Sequence, residues 1–190
     1  MLWPARLPRP SSKGDPASLP GWKILLCVQV MAAPEVKPFQ VIQKVDSGAS
    51  FEVWRSPTGA MRLDWNRQGV VLETMLGFGS HEFATVILRR WEASRRGGLQ
   101  ILILNDFWEM PNYDSGFRIL QQEWALKNRS SLVQPLHIVT RSKLVSMGTA
   151  VVNLALGGII TVHTQRQTFD AEVKKAGLTP NPQIPFPSTT

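Results

Sequence analysis

Apolar and polar positions alternate with a period of two in the first half of the chain and change to a helical period in the second. Phe51-Glu-Val-Trp54 alternates, and Ser56-Pro-Thr-Gly59 follows as a turn with Pro and Gly in favoured places. Ala60 to Trp65 and Val70 to Leu76 read as two further strands joined at Asn66-Arg-Gln-Gly69. Such short, neighbouring runs predict antiparallel pairing.

From Ser80, a plausible N-cap, the period becomes helical. Phe83, Val86, Ile87 and Trp91 share a face, and Gly97–Gly98 ends the segment. Leu99 to Leu104 is a continuous apolar run, as in a strand covered on both faces. A loop is expected next, then a helix from Ser115 to Asn128 with Phe117, Leu120, Gln121 and Trp124 on one face. Leu136 to Val139 predicts a strand. Lys143 to Leu156 predicts a helix with Leu144, Met147, Val151 and Leu154 inward, stopped by Gly157–Gly158. Ile159 to Val162 predicts a strand, and Arg166 to Ala176 a last helix closed by Gly177. Strands first, then alternating helices and strands, imply right-handed crossovers between parallel strands. The expectation is an α/β domain: one mixed sheet of about five to six strands, helices largely on one face. No internal repeat is visible.

The ends of the chain are different. Residues 1–30 carry Pro4, Pro8, Pro10, Pro16 and Pro20 with Ser11, Ser12 and Gly14, a composition that reads as a disordered extension. Residues 31–50 read as a lead-in, 51–177 as the folded domain, and 178–190 as a disordered Pro-rich tail. Met31-Ala-Ala-Pro-Glu resembles a fresh start, which makes 1–30 an upstream extension on this reading. The longest apolar stretch, Ile24 to Ala33, is about half the roughly 20 residues that a membrane span needs. No membrane insertion is expected.

Charge changes this picture little. The 190 residues carry a net charge of +7, which by itself favours nucleic acid or anionic membranes as partners. Much of the excess sits near the N-terminus (Arg6, Arg9, Lys13, Lys23), and none forms a long run. Arg89–Arg90 and Arg95–Arg96 read as a solvated helix face, so nucleic acid is not an expected partner. Cys27 is the one cysteine. An internal disulfide and a thiolate metal site are both excluded, which suits a reducing cytoplasm.

Signatures of enzymes are missing. There is no phosphate-binding Gly-rich loop, no dinucleotide fingerprint and no nucleophile elbow. His81, His137 and His163 are far apart in sequence, without ligand spacing, so no metal and no cofactor is expected. The chemically dense stretch is Asn105-Asp-Phe-Trp-Glu-Met-Pro-Asn-Tyr-Asp-Ser-Gly-Phe-Arg118. It joins the carboxyl end of a buried strand to a helix N-terminus, the edge where open α/β sheets receive ligands and partners. Asp106, Glu109 and Asp114 could do acid–base work there. Capping by Asp114 or Ser115 is the plainer reading of that turn. Trp108, Met110 and Tyr113 suit either a protein-binding hot spot or a cover over the sheet end.

The stretch Leu99 to Ile119, with Tyr113-Asp-Ser-Gly-Phe117 opening a helix, resembles the hallmark of the STAS domain family. Leu136-His-Ile-Val139, Arg141-Ser-Lys-Leu-Val-Ser-Met147 and Asn153-Leu-Ala-Leu-Gly-Gly-Ile-Ile-Thr-Val162 resemble the later strands and helices of that family. The likeness is to the anti-sigma-factor-antagonist (SpoIIAA-like) type and covers roughly residues 51–177. It implies a non-enzymatic, cytoplasmic, bacterial signalling module acting in transcription regulation. Its partner would be an anti-sigma factor that is also a GHKL-type serine kinase, and phosphorylation of a motif serine would end binding. The family usually has two hydroxyl residues before the Gly, the first being the acceptor. Anchored on Gly116, that position is Asp114; anchored on Asp114, it is Ser115. The resemblance thus makes Ser115 a candidate phosphosite. Trp108, Glu109, Tyr113, Asp114, Ser115, Gly116 and Phe117 become the candidate partner-binding residues. STAS-like domains also serve as accessory subunits of membrane transport systems or as nucleotide-binding modules, which is the alternative. Oligomeric state stays open, a homodimer included.

Overall fold

The computed structural model describes residues 41–96 and 98–184. Residues 1–40, on which the reading of an N-terminal extension and most of the lead-in rests, and the last six residues of the tail lie outside them. The elements run β1 (Gln43–Ser47), β2 (Phe51–Arg55), β3 (Gly59–Trp65), β4 (Val70–Gly79), α1 (His81–Ser94), β5 (Leu102–Tyr113), α2 (Ser115–Lys127), a short 3-10 turn (Arg129–Ser131), β6 (Leu136–Val139), α3 (Lys143–Ala155), β7 (Ile160–His163) and α4 (Arg166–Lys175). They form one seven-stranded mixed sheet in which spatial order equals chain order. β1 to β4 pair antiparallel through tight turns. β4 to β7 pair parallel, each step made by a helix or a longer crossover. The α/β mixed sheet agrees with the expectation, with one or two strands more than foreseen.

Alternation along the strands sorts the core into two layers. Met61, Leu63, Val71, Met75, Ile103 and Ile138 face α1, α2 and α3, meeting Phe83, Ile87, Trp91, Phe117, Trp124 and Val145. Val70, Leu72, Leu104 and Val139 face the other way and are covered by Phe169 and Val173 of α4. Three helices therefore share one face and the fourth crosses to the other. The same second face is closed further along by Ile184, packed with Val53 and Ala60. Burying each such side chain is worth about 1.5–3 kcal/mol, which is what fixes the strand faces.

Three local expectations change. The strand beginning near Leu102 does not end at Leu104. β5 continues through the expected loop to Tyr113, still paired with β4 out to Gly79, by absorbing register shifts on either side of Leu76. The inward face of α3 is also different. Val145, Thr149 and Leu156 are turned to the core, whereas Leu144, Met147, Val151 and Leu154 are exposed, Met147 by 69% and Leu154 by 84%. The reason lies at Gly148, where the Tyr113 hydroxyl and the Arg118 side chain press against a helix surface without a Cβ. That close approach selects the Val145–Thr149–Val152 side for the interior. Finally, Ser80 occupies the N-cap position of α1, but its hydroxyl makes no capping bond. A carboxylate from another element does that work.

Candidate functional site

Asp114 stands between β5 and α2. One carboxylate oxygen, Oδ1, accepts the Phe117 amide N–H at 2.7 Å, capping α2. The other, Oδ2, accepts the His81 amide N–H at 2.9 Å, capping α1. Both helix starts present unpaired donors and partial positive charge, so one anion serves both. Asp114 is thus the joint holding two helices to the sheet end.

Ser115 follows as the first residue of α2 and is exposed. Gly116 lies so close to His81 that a Cβ would sit 2.8 Å from its Nδ1. Phe117 is buried at 3% exposure, edge-on to Phe107 at 5.9 Å between ring centroids. Tyr113 is half-buried against Phe117. Glu109 is exposed and paired with Arg141 of the segment before α3. Trp108 turns to the opposite face and packs beside the α4 layer. The seven sequence candidates therefore divide: Glu109, Tyr113, Asp114, Ser115 and Gly116 share the sheet end, Phe117 belongs to the core beneath, and Trp108 lies across the sheet.

The three carboxylates considered for acid–base work do not converge. Asp106 points to the α4 side and is held by Arg166 through two bonds of 2.6 and 2.5 Å. Burial pushes its carboxyl up, against the pull of that guanidinium. Glu109 is engaged by Arg141 and Asp114 by the two backbone amides.

Two polar groupings were not legible in the sequence as sites. On the α4 side, His137 and His163 approach to 3.0 Å between Nδ1 and Nε2, although 26 residues separate them. The Thr168 hydroxyl donates to the Gln165 carbonyl, which leaves its oxygen to accept from His163 Nδ1 at 3.0 Å. The network therefore assigns the proton of neutral His163 to Nδ1 and makes His137 the donor to its Nε2. Burial holds both imidazoles below the ordinary histidine range. On the other side, Glu73 is completely buried, and burial raises its carboxyl from 4.5 to about 8. The Trp91 indole N–H faces it without closing a hydrogen bond. A lone Glu inside Val70-Val-Leu-Glu-Thr-Met-Leu76 was the available signal. Among the described residues, no group of three or more His, Cys, Asp and Glu could hold a metal ion, and no helix is long and apolar enough to cross a membrane.

Comparison with known proteins adds one likeness. No family model matches the chain, and no curated protein matches it. One solved structure is similar: an uncharacterized protein of the DUF3478 family from Shewanella loihica PV-4, described as having a SpoIIAA-like fold. The two share 15% identity over 65% of this chain and 94% of that one, with a TM-score of 0.45. The described fold name is the one the sequence motifs suggested; the likeness bears on no function.

Proposed function

We propose that this chain is a non-catalytic signalling module that captures a protein partner on the end of the sheet, across the β5–α2 turn and the outer face of α3. The partner class is the one the STAS resemblance implies, an anti-sigma factor of the GHKL serine-kinase type. The observation that carries the reading is the exposed apolar row of α3, Leu144, Met147, Val151 and Leu154, on the helix whose Gly148 is seated against Tyr113, two residues before exposed Ser115. From Leu144 to Thr164 the chain carries no Asp, Glu, Lys or Arg. Apolar surface gathered on one helix and rimmed by polar groups is the kind of patch that protein interfaces use. Gly148, seated against Tyr113 and Arg118, brings that row alongside the turn.

Such a surface supplies a switch. A phosphate on Ser115 adds about −1.5 to −2 charges. It would stand at the rim of an apolar contact and resist the desolvation that contact requires. The fold would tolerate it, because Ser115 is exposed and solvent screens the phosphate from the Asp114 carboxylate that already caps α2.

The test is affinity capture on the immobilised chain with native lysate, read by mass spectrometry with phosphosite mapping. A GHKL-type kinase should be enriched. Substituting both Met147→Glu and Val151→Glu should reduce its capture at least tenfold with the fold intact. Ser115→Ala should retain capture and Ser115→Glu should lose it. Asp114→Lys is uninformative here, since it uncaps two helices. Full capture by the double variant, or no kinase in the eluate, ends the reading.

A further inference from the structure

Behind the turn, between the sheet, α2 and α3, lies an apolar cavity of about 70 Å³ that opens toward solvent. Its walls include Phe107, Met110, Phe117, Ile138, Val145 and Val152. Such a lining alone would be an ordinary packing defect. Two polar members of the lining are different. Asn105 is 5% exposed and lines the cavity, yet its Oδ1 has no hydrogen-bond partner among the described residues. Gln121 of α2 also lines it, and its Nε2 is buried and equally unpaired. Leaving a buried acceptor and a buried donor unmet costs about 1–3 kcal/mol for each. Two such groups on one cavity form a matched pair, one able to receive a proton donor and the other to give one.

We propose that this cavity is a binding site for a small neutral molecule with an apolar ring and one hydroxyl group. The hydroxyl donates to Asn105 Oδ1 and accepts from Gln121 Nε2. An enclosed benzene ring takes a cavity of about 150 Å³, so the enclosed part holds the hydroxyl end and the ring extends along Phe107 and Phe117 into the open mouth, beside Arg118 and Gly148. Neutral amides recognise the buried end, so a carboxylate or ammonium would be stranded there without a counter-charge. Behind Asn105, across the ladder, stands Glu73, whose carboxyl keeps its proton at neutral pH and so adds no charge to the floor. Aromatic walls with a few convergent polar groups are the usual make-up of a small-molecule site.

The reading does not depend on the proposed partner or on Ser115. Phenol is the probe, with toluene as the isostere lacking the hydroxyl and benzoate as the charged control, in a titration of the full chain followed by NMR. Phenol should give saturable shifts that include the Asn105 and Gln121 side-chain amides. It should bind at least tenfold more tightly than toluene, the discrimination that one buried hydrogen bond provides, and benzoate should bind most weakly. Asn105→Leu should bring phenol and toluene together. Gln121→Leu, on the half-buried helix position, should do the same if Asn105→Leu fails to fold. Val152→Phe should fill the cavity and abolish both. No saturable binding at millimolar phenol, equal affinity for phenol and toluene in the natural chain, or an undiminished preference in folded side-chain variants would overturn it.

Discussion

Glu73 and Asp106 are neighbours across the same pair of strands, yet the protein treats them in opposite ways. Glu73 faces Asn105 in the β4–β5 ladder and Asp106 faces Thr74, so the two carboxyls point to opposite faces of the sheet. Both are almost wholly inaccessible, at 0% and 2% exposure. Under the three helices no cation among the described residues reaches Glu73, and burial leaves it protonated. Under α4, Arg166 arrives from the first turn of the helix and grips both oxygens of Asp106 while also bonding Asp170 at 3.0 Å. A buried acid can be neutralised by a proton or by a guanidinium. The choice decides how its site responds to mutation and to pH.

The largest break in this contrast should come from Arg166→Met. It strands Asp106 without its partner, and a buried charge left unpaired costs about 3–5 kcal/mol. Urea unfolding at pH 7 would read that loss, and Asp106→Asn in the same background should recover part of it. A loss below about 1 kcal/mol would mean that the pair adds little to the α4 layer.

Next in size is Glu73→Gln. The folded pKa of about 8 lies above the ordinary 4.5. The unfolded chain therefore gives up its proton first as pH rises, and folding stability is fully present below 4.5 and declines up to about 8. The variant should lack that decline. It should match the natural chain near pH 4 and exceed it at pH 8 to 9 by a difference on the order of 3 kcal/mol. Parallel stability curves for the two proteins would show that Glu73 is ionised in the fold.

The smallest effect sharpens the α4 side. His137 and His163 are held below the ordinary imidazole range by burial, with Glu172 opposing that shift for both and Lys175 adding to it for His137. The unfolded chain takes up protons first as pH falls below about 6.5, so stability present at neutral pH is lost on acidification. Both rings keep some solvent access, which limits the size of the loss. His163→Asn should flatten stability between pH 7 and 5, followed by thermal unfolding.

Element order was legible because period and punctuation are strong: alternating runs divided by Pro-Thr-Gly and Arg-Gln-Gly, then helical stripes ended by Gly pairs. α1 was legible to the face, since Phe83, Val86, Ile87 and Trp91 contrast with the charged residues between them and all four are buried. α3 offered no such contrast. Leu144, Val145, Met147, Val151, Val152, Leu154 and Leu156 surround the helix, and the contact at Gly148 decided its orientation. Pro111 and Asn112 made the end of β5 look like a loop; pairing with the long β4, out to Gly79, overrode them. The capping role of Asp114 for its own helix was visible in the sequence. Its second bond, to a helix that begins 33 residues earlier, depends on where the sheet ends, as does the meeting of His137 with His163.

Spatial order equal to chain order has a consequence for how the molecule is made. A ribosome that has released β4 has already supplied every neighbour that β2 and β3 require. Each later strand then meets a waiting edge, and no finished pair has to separate to admit a newcomer. Assembly can run as zippering from the amino-terminal hairpins outward, leaving one growing edge at a time for a chaperone or a stray strand to find.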